Sequence, residues 1–401
     1  MLAIIGVLAF IAALLISIMI HEAGHFLTAR HYGMKVTEFF LGFGARLWST
    51  QRGETEFGIK AIPAGGYCKI VGMAESEELT EEEKGRAFYA ASTPRRLVVL
   101  GAGSFLHFVL AYILLVGLFG IVGISSVTST IDQVSPCVAP VGVNGTTVKC
   151  PQGSSPSPAI QAGLKPGDVI ESINGAAITD WNSAVTTIRA SANKRLVLGV
   201  KRSGNHISIP ITPVARTLNG STTGAIGVIN KVGTVHLNPW RSMSNGFTVG
   251  KEIFTGSISS LIALPGKIPA LFEETFGGKP RDPQGPVGVV GVARVSAQAV
   301  SASGLSWADR IGQFILIIAS LNIFVGIFNL LPLLPLDGGH MLVALIDGYR
   351  RQRARRQGMP TPAPFNVELL TPITMVVFLL LAALTLMLLV ADIFNPVHLN
   401  M

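Results

Sequence analysis

Four long apolar segments stand out in the pattern of hydrophobic and polar positions along the chain. Residues 2–20 contain no charged side chain, and a helix of about 20 apolar residues is long enough to cross the hydrocarbon core of a bilayer. A secretory signal peptide is the alternative, but the segment lacks a basic amino-terminal region and a small-residue cleavage site. Residues 97–123, 311–334 and 367–390 are also long and apolar enough to span. The pattern therefore predicts four transmembrane helices.

The segments between the predicted spans differ from one another. Residues 33–71 form extended stretches broken by glycine, with a hairpin turn expected at the Arg52-Gly53 step. In residues 125–237, turn-forming residues surround short Val and Ile runs, which is typical of a small β-rich soluble domain with a capping helix.

Residues 239–306 are apolar but carry charges and the helix breakers Gly266 and Pro269. We expect surface or partly membrane-dipping helices in this segment rather than a fifth span.

Composition and charge support a membrane protein and orient it. Hydrophobic residues make up 49% of the chain and charged residues 13%, about half the charge of an ordinary soluble domain. Lys and Arg concentrate in the loop 30–96 and in a cluster after the third span, whereas both ends of the chain lack basic side chains. Because basic loops are retained in the cytoplasm, we expect both termini to face outward. The net charge of +8 follows from this topology, and no nucleic-acid partner is needed to explain it.

Two of the three cysteines fall in the predicted external domain. An oxidising compartment would allow these two, Cys137 and Cys150, to form a disulfide. Cys68 lies on the predicted reducing side and is interpreted as an ordinary small side chain.

The residues that can carry chemistry begin at the end of the first span, in the sequence HEAGH. On a helix, His21 and His25 lie one turn apart on the same face, where two imidazole nitrogens can bind one metal ion. Zinc suits these ligands, and Glu22 is then placed to accept a proton from a zinc-activated water. Histidines that merely cap the helix end are the alternative, but ionisable groups at the end of an apolar helix are costly unless they bind something.

A third zinc ligand must come from elsewhere in the chain. Asp337 follows the third span on the predicted cytoplasmic side, the same side as the HEAGH sequence. Pro332 and Pro335 break the helix there, and two glycines after Asp337 let the backbone bend, as a ligand loop at membrane depth requires. Asp337 could instead cap the following helix. His340 is an alternative third ligand. We expect it instead to contact a ligating side chain or to lie at the surface.

Two other functions were weighed against a catalytic metal site. A membrane scaffold with a structural zinc would need a closed set of four ligands, and the sequence offers no cysteine pair or third histidine near the same face. A metal-ion transporter would need polar residues along several spans, whereas the second and fourth are nearly free of ionisable groups apart from His107. His107 is interpreted as a histidine that packs between helices.

HEAGH at the end of a first span, together with NLLPLLPLDGG at a later one, resembles the site-2 protease family of intramembrane zinc proteases. GFGARLW (42–48) resembles that family's membrane re-entrant β-segment, IPAGGYCKI resembles its strand motif, and GLKPGDVIESING resembles the carboxylate loop and strand of a PDZ domain. The order of these features is that of the bacterial regulators of anti-sigma factor cleavage and covers nearly the whole chain. Some members carry two PDZ modules, whereas this sequence shows one.

The resemblance implies one Zn²⁺ held by the two histidines and Asp337, with Glu22 as general base. Asn329, eight residues before the aspartate, would hold substrate or stabilise the oxyanion. Two glycines of the β-segment would border an edge strand that holds an unwound substrate by strand addition. The expected substrate-binding residues are Asn329, Gly42, Gly44, Pro332 and Pro335.

The resemblance also implies a function, regulated intramembrane proteolysis of single-pass membrane proteins. The substrate class, membrane-bound anti-sigma factors, is implied by the resemblance alone. Composition and residue spacing do not indicate a substrate. The PDZ domain is expected to admit only substrates whose outer domain has already been removed.

The predicted fold is an α-helical protein of the bacterial cytoplasmic membrane with four transmembrane helices, a re-entrant β-segment and one extracytoplasmic β-rich PDZ domain. The expected segments are a first span with HEAGH (1–30), a cytoplasmic-side β-segment and charged loop (31–96), a second span (97–123), the PDZ domain (124–238), membrane-associated helices (239–306), a third span with the metal loop (307–340), a basic cytoplasmic loop (341–365) and a fourth span (366–394).

Overall fold

The computed structural model describes residues 1–397 except 74–78, 139–149, 151, 179, 219–220, 361, 364 and 366. Contacts within the chain divide it into two units. The membrane unit comprises Met1–Val122 and Leu237–Met401, and the inserted unit comprises Gly123–His236.

The helices and strands follow one another along the chain in a fixed order. They are α1 (Leu2–His31), β1 (Val36–Arg52), β2 (Thr55–Ile70), α2 (Glu81–Lys84), α3 (Thr93–Gly117), β3 (Ile124–Val134), α4 (Pro158–Gln161), β4 (Val169–Ile173), β5 (Ala176–Ala177), α5 (Trp181–Ala190), β6 (Leu196–Arg202), β7 (Asn205–Ile211), β8 (Val214–Leu218), β9 (Ser221–Ala225), β10 (Val228–Val235), α6 (Pro239–Phe276), α7 (Val289–Ser301), α8 (Trp307–Asn329), α9 (Asp337–Arg356) and α10 (Thr371–Phe394).

Four helices are long and apolar enough to cross a membrane, which confirms the predicted number of spans within the described residues. They are α1, α3 with its continuation to Val122, α8 and α10. The third of them ends at Asn329 rather than near residue 334. Pro332 and Pro335 follow this end, and a proline cannot continue a helix in the ordinary way.

β1 and β2 form an antiparallel hairpin in the membrane unit, with Gly53 in the turn at a φ of +63°. The turn lies where the sequence predicts it, but the strands are long, at 17 and 16 residues. Gly42 and Gly44 have φ values of +87° and +84°, and the pairing shifts register around them. Residues 38–41 pair with both 56–59 and 66–69, whereas residues 46–52 pair with 55–60. The two glycines therefore lie where the pairing of β1 changes, and their positive φ values accommodate that change.

α6 is a single helix that continues through Gly266 and Pro269, both of which the sequence predicts as helix breakers, and it also contains Pro265. A proline removes the hydrogen bond of its own N–H, but the helix continues to Phe276. Neither α6 nor α7 is among the helices apolar enough to span, in keeping with the prediction that residues 239–306 add no fifth span.

The inserted unit is β-rich and has its own core. Its main sheet has the strand order β10-β3-β4-β6-β7, β5 pairs with β4, and β8 and β9 form a separate hairpin. Ile131, Ile170, Leu198 and Val200 are at most 1% exposed and pack with Ile188 of α5. A disulfide joins Cys137 to Cys150.

Candidate metal centre

Three potential metal ligands meet where α1 approaches the first turn of α9. The Nε2 atoms of His21 and His25 are 3.1 Å apart, and Asp337 Oδ2 lies 3.2 Å from the first and 3.4 Å from the second. Among the described residues, these three form a group of His and Asp side chains that could hold a metal ion, with ligand atoms within 4.8 Å of one another. The structure thus brings together the three side chains that the sequence predicts as ligands.

Glycines allow α1 and α3 to approach closely at this centre. A Cβ atom at Gly24 would lie 2.7 Å from the carbonyl carbon of Ala102. One at Gly103 would lie 2.5 Å from His21 Cε1 and 2.7 Å from His25 Nε2. Non-bonded carbon atoms prefer about 3.5–4.0 Å, so neither position has room for a side chain. α3 therefore covers both imidazoles, which are buried.

The contact with α3 also orients one of the ligands. His25 Nδ1 lies 2.8 Å from the carbonyl oxygen of Val99, and only a protonated Nδ1 can donate to that oxygen. The lone pair is then on Nε2, the nitrogen that faces His21 and Asp337. Such a hydrogen bond to the far ring nitrogen is the usual way in which a protein orients a metal-ligating histidine.

A tight loop between α8 and α9 presents Asp337. A Cβ atom at Gly338 would lie 2.3 Å from the carbonyl oxygens of Leu330 and Leu331, and one at Gly339 would lie 2.5 Å from the backbone nitrogen of Leu334. The first turn of α9 therefore folds directly onto the loop, which is possible only because both residues lack a side chain. Asp337 is the first residue of α9, so this packing fixes the position of its carboxylate.

Two polar atoms of the centre lack an ordinary hydrogen-bond partner. Among the described residues, His21 Nδ1 and Asp337 Oδ2 are buried without a hydrogen-bond partner. Imidazole lone pairs and a carboxylate oxygen that face one another are unfavourable unless a proton or a cation lies between them. Two histidines and one carboxylate are also a known protein ligand set of catalytic zinc sites, whereas structural sites are closed by four protein ligands. The residues present therefore fit zinc.

Glu22 lies between the two histidines in sequence and beside β2 in the structure. A Cβ atom at Gly66 would come within 3.3 Å of Glu22 Cγ, so the strand passes directly along this side chain. Two residues further on, burial raises the pKa of the Cys68 thiol. A raised pKa keeps Cys68 neutral, in agreement with its interpretation as an ordinary small side chain.

The predicted substrate-binding residues lie in two parts of the membrane unit. Asn329 is the half-buried last residue of α8, and Pro332 and Pro335 are exposed in the loop before Asp337. Gly42 and Gly44 lie where the pairing of β1 changes.

His340, the alternative third ligand, is half-buried on the first turn of α9 and is not part of the ligand cluster. Burial lowers its pKa, which favours the neutral imidazole.

A polar network beside the centre was not predicted. The His107 ring lies 5.0 Å from the His21 ring, centroid to centroid, and His107 Nδ1 is 2.7 Å from Asn322 Oδ1. Asn322 is 1% exposed and donates to Ser17 Oγ at 3.1 Å. From the sequence, His107 is predicted only to pack between helices. Polar residues inside apolar spans are energetically costly and tend to be functional. The presence of one such residue in each of two spans is the signal that could have linked Asn322 to His107.

Comparison with known proteins gives one family and several relatives. Residues 9–366 match the profile of peptidase family M50. The chain is 35% identical to the zinc metalloprotease Rip1 of Mycobacterium tuberculosis, over 98% of each chain. It is 34% identical to Rip1 of Mycolicibacterium smegmatis, again over 98% of each. It is 26% identical to the regulator of sigma-E protease RseP of Salmonella typhimurium, over 84% of this chain and 90% of that one.

Proposed function

The chain belongs to peptidase family M50 and is a membrane zinc metalloprotease, and we propose that it cuts single-pass membrane proteins at the centre formed by His21, His25 and Asp337. Glu22 is the general base of the proposed reaction. The observation that carries this assignment is the convergence of three ligand atoms from α1 and α9 at 3.1–3.4 Å, beside a carboxyl group that is not a ligand.

In the proposed mechanism, His21, His25 and Asp337 would hold the zinc ion, which when bound would supply Lewis-acid chemistry for attack of water on a carbonyl group. Glu22 accepts the proton of the attacking water and then delivers it to the nitrogen of the scissile amide as the C–N bond breaks. The hydrogen bond from His25 to Val99 keeps that imidazole in the tautomer that binds metal. The cover provided by α3 at Gly103 limits access of bulk water to the imidazoles.

The β1–β2 hairpin is proposed to present the substrate to this centre. A transmembrane helix hides its peptide bonds in internal hydrogen bonds, so it must be opened before cleavage. Residues 38–41 of β1 pair on both sides, with residues 56–59 and with residues 66–69 of β2. Among the described residues, residues 66–69 pair only with β1, which leaves this part of β2 an outer edge to which an extended peptide can add. β2 passes along Glu22 at Gly66, so a peptide held by this hairpin would lie near the catalytic groups.

Anti-sigma factors are the proposed substrate class. The name of one relative, the regulator of sigma-E protease, connects it with a sigma factor. We further propose that the inserted unit is a PDZ domain that restricts access to substrates with a shortened outer part. Asn329, Pro332, Pro335, Gly42 and Gly44 are proposed to contact the substrate.

The proposed location is the bacterial cytoplasmic membrane with both termini outside. The concentration of basic residues in the loop 30–96 and in α9 supports this orientation. The disulfide between Cys137 and Cys150 agrees with it, because it would place the inserted unit in an oxidising compartment.

The test is cleavage of a tagged single-pass anti-sigma factor in liposomes, with zinc content measured for each variant. Glu22→Gln keeps the size of the side chain but cannot accept the proton, so we expect cleavage to fall by about 100-fold or more while one zinc per chain remains. Glu82→Gln is the control, since Glu82 is exposed on α2.

Cleavage by Glu22→Gln at the wild-type rate would overturn the role of Glu22. Failure of the zinc-loaded wild type to cut any such substrate would overturn the substrate class.

A further inference from the structure

α9 exposes an apolar stripe that no part of the described chain covers. Leu342, Leu345, Ile346 and Tyr349 are 44%, 50%, 37% and 66% exposed. Their spacing of three, four and seven residues places them on one face of the helix. The opposite face is buried, with Val343, Ala344 and Asp347 all under 9% exposed.

The contacts between α9 and α3 show where this stripe lies along α3, which is one of the candidate spans. α9 runs antiparallel to α3, because Met341 lies near Gly101, the Ala344 carbonyl near Arg96, and Gly348 against Thr93. Thr93 is the first residue of that span. The stripe at 342–349 therefore lies alongside the first turns of the span, and the rest of α9 extends beyond its end.

The part of α9 that extends beyond the span is strongly basic. Arg350 lies 3.8 Å from Asp347, and Arg351 donates to the carbonyl oxygen of Tyr89 at 3.2 Å. Arg353, Arg355 and Arg356 are exposed, and no ion pair or hydrogen bond to another side chain in the described part of the chain is found for them. Their charge is thus available to an external anion.

We propose that α9 is a membrane-interface helix whose apolar stripe contacts lipid acyl chains and whose last turn binds the headgroups of anionic lipids. An apolar face at span depth followed by free arginines at the boundary is the charge and hydrophobicity profile of such a surface. Because α9 begins with Asp337, the same helix connects the lipid surface to the metal centre. The proposal does not depend on the substrate or on the catalytic role of any residue.

The test measures lipid retention by the full-length protein. Protein is reconstituted in nanodiscs of phosphatidylcholine with phosphatidylglycerol and extracted into mild detergent, and bound phosphatidylglycerol per chain is counted by native mass spectrometry. Replacing Arg353, Arg355 and Arg356 by Gln should weaken apparent phosphatidylglycerol binding by about tenfold or more, and high salt should weaken wild-type binding.

The control removes the same charge from the inserted unit. Lys194, Arg195 and Lys201 are exposed there, and their replacement by Gln should leave lipid retention unchanged. Equal retention by the α9 variant and the wild type would overturn the proposal.

A second measurement examines the stripe separately. Hydrogen exchange of residues 342–349 in nanodiscs should increase in Leu345→Ser with Tyr349→Ser, while the wild type stays protected without any protein partner. Protection that appears only when a substrate protein is added would make the stripe a protein-binding surface and would overturn the lipid assignment.

Discussion

Two buried polar clusters involve α9 and lie against α3, and they differ in the group that faces their carboxylate. Arg96 and Asp347 form an ion pair at 3.1 Å with both side chains 4% exposed, and Asp347 also accepts from the backbone N–H of Phe365 at 2.7 Å. At the other end of this helix pair, Asp337 Oδ2 faces two imidazole nitrogens rather than an arginine, at 3.2 Å from His21 Nε2 and 3.4 Å from His25 Nε2.

The difference separates a structural cluster from a ligand-binding one. A buried charge is tolerated when an opposite charge and hydrogen bonds compensate it, which is the situation of Asp347. Asp337 and the two histidines reach that situation when a proton or a cation lies between them, and their ligand chemistry fits zinc. Burial and charge alone do not distinguish the clusters, because both are buried and both contain a carboxylate.

The largest expected effect comes from removing the ligand charge. Asp337→Asn replaces an anionic ligand by a neutral amide, so we expect zinc content to fall from about one per chain towards zero and proteolysis to fall to background. Metal analysis and substrate cleavage measure this. The protein with Asp347→Asn should retain its zinc. Equal loss of zinc from both variants would contradict the distinction between the two clusters.

A smaller effect is expected from crowding the centre without changing a ligand. Gly103→Ala places a methyl group 2.5 Å from His21 Cε1, so the imidazoles must shift. Disturbed ligand orientation typically costs about 10–100-fold in metal affinity or activity, measurable by zinc competition and cleavage assays.

Gly101→Ala is the matched control on the same helix, since the nearest atom to its Cβ would be Met341 Cε at 3.9 Å. Similar zinc affinity for the two variants would show that α3 does not restrict the imidazoles.

The sequence predicts the side chains of the candidate centre better than it predicts the residues that pack around them. His21 and His25 follow from a four-residue spacing on one helix, Glu22 is adjacent to His21, and Asp337 follows from the charge rule and the prolines before it. Gly103 and Asn322 belong to other helices with no fixed spacing from HEAGH, so their roles depend on tertiary packing that a single sequence does not contain.

The same limit applies to the fold. Four spans follow from length and hydropathy, and the β-rich inserted unit follows from alternation and turn residues. The passage of α6 through Pro269 and the extent of β1 beyond its glycines depend on neighbours that local propensity does not describe.

The ion pair between Arg96 and Asp347 should affect the stability of the fold rather than zinc binding. Asp347→Ala leaves Arg96 buried without its partner, and such changes destabilise by about 3–5 kcal/mol. Unfolding in detergent measures this. Replacing both residues by apolar ones, Arg96→Met with Asp347→Leu, should recover most of the loss, and Arg350→Gln should cost less than about 1 kcal/mol because Arg350 is more exposed. A double variant as unstable as Asp347→Ala would contradict this account.

The smallest effect is expected in the inserted unit, where a third buried carboxylate pairs with a more exposed cation. Arg202, 29% exposed, donates to Asp168 at 2.7 Å and holds the pKa of Asp168 below its usual range. A depressed pKa in the folded state contributes stability that is fully present above the unfolded pKa of about 3.9 and is lost as pH falls towards the folded value. Hydrogen exchange of β4 and β6, normalised for intrinsic rate, should therefore lose protection below about pH 4 in the wild type but lose less in Asp168→Asn. Because Arg202 is partly solvated, the free energy of unfolding lost on acidification should be smaller than that lost in Asp347→Ala. A larger loss would show that the exposure of the cation does not govern the strength of these ion pairs.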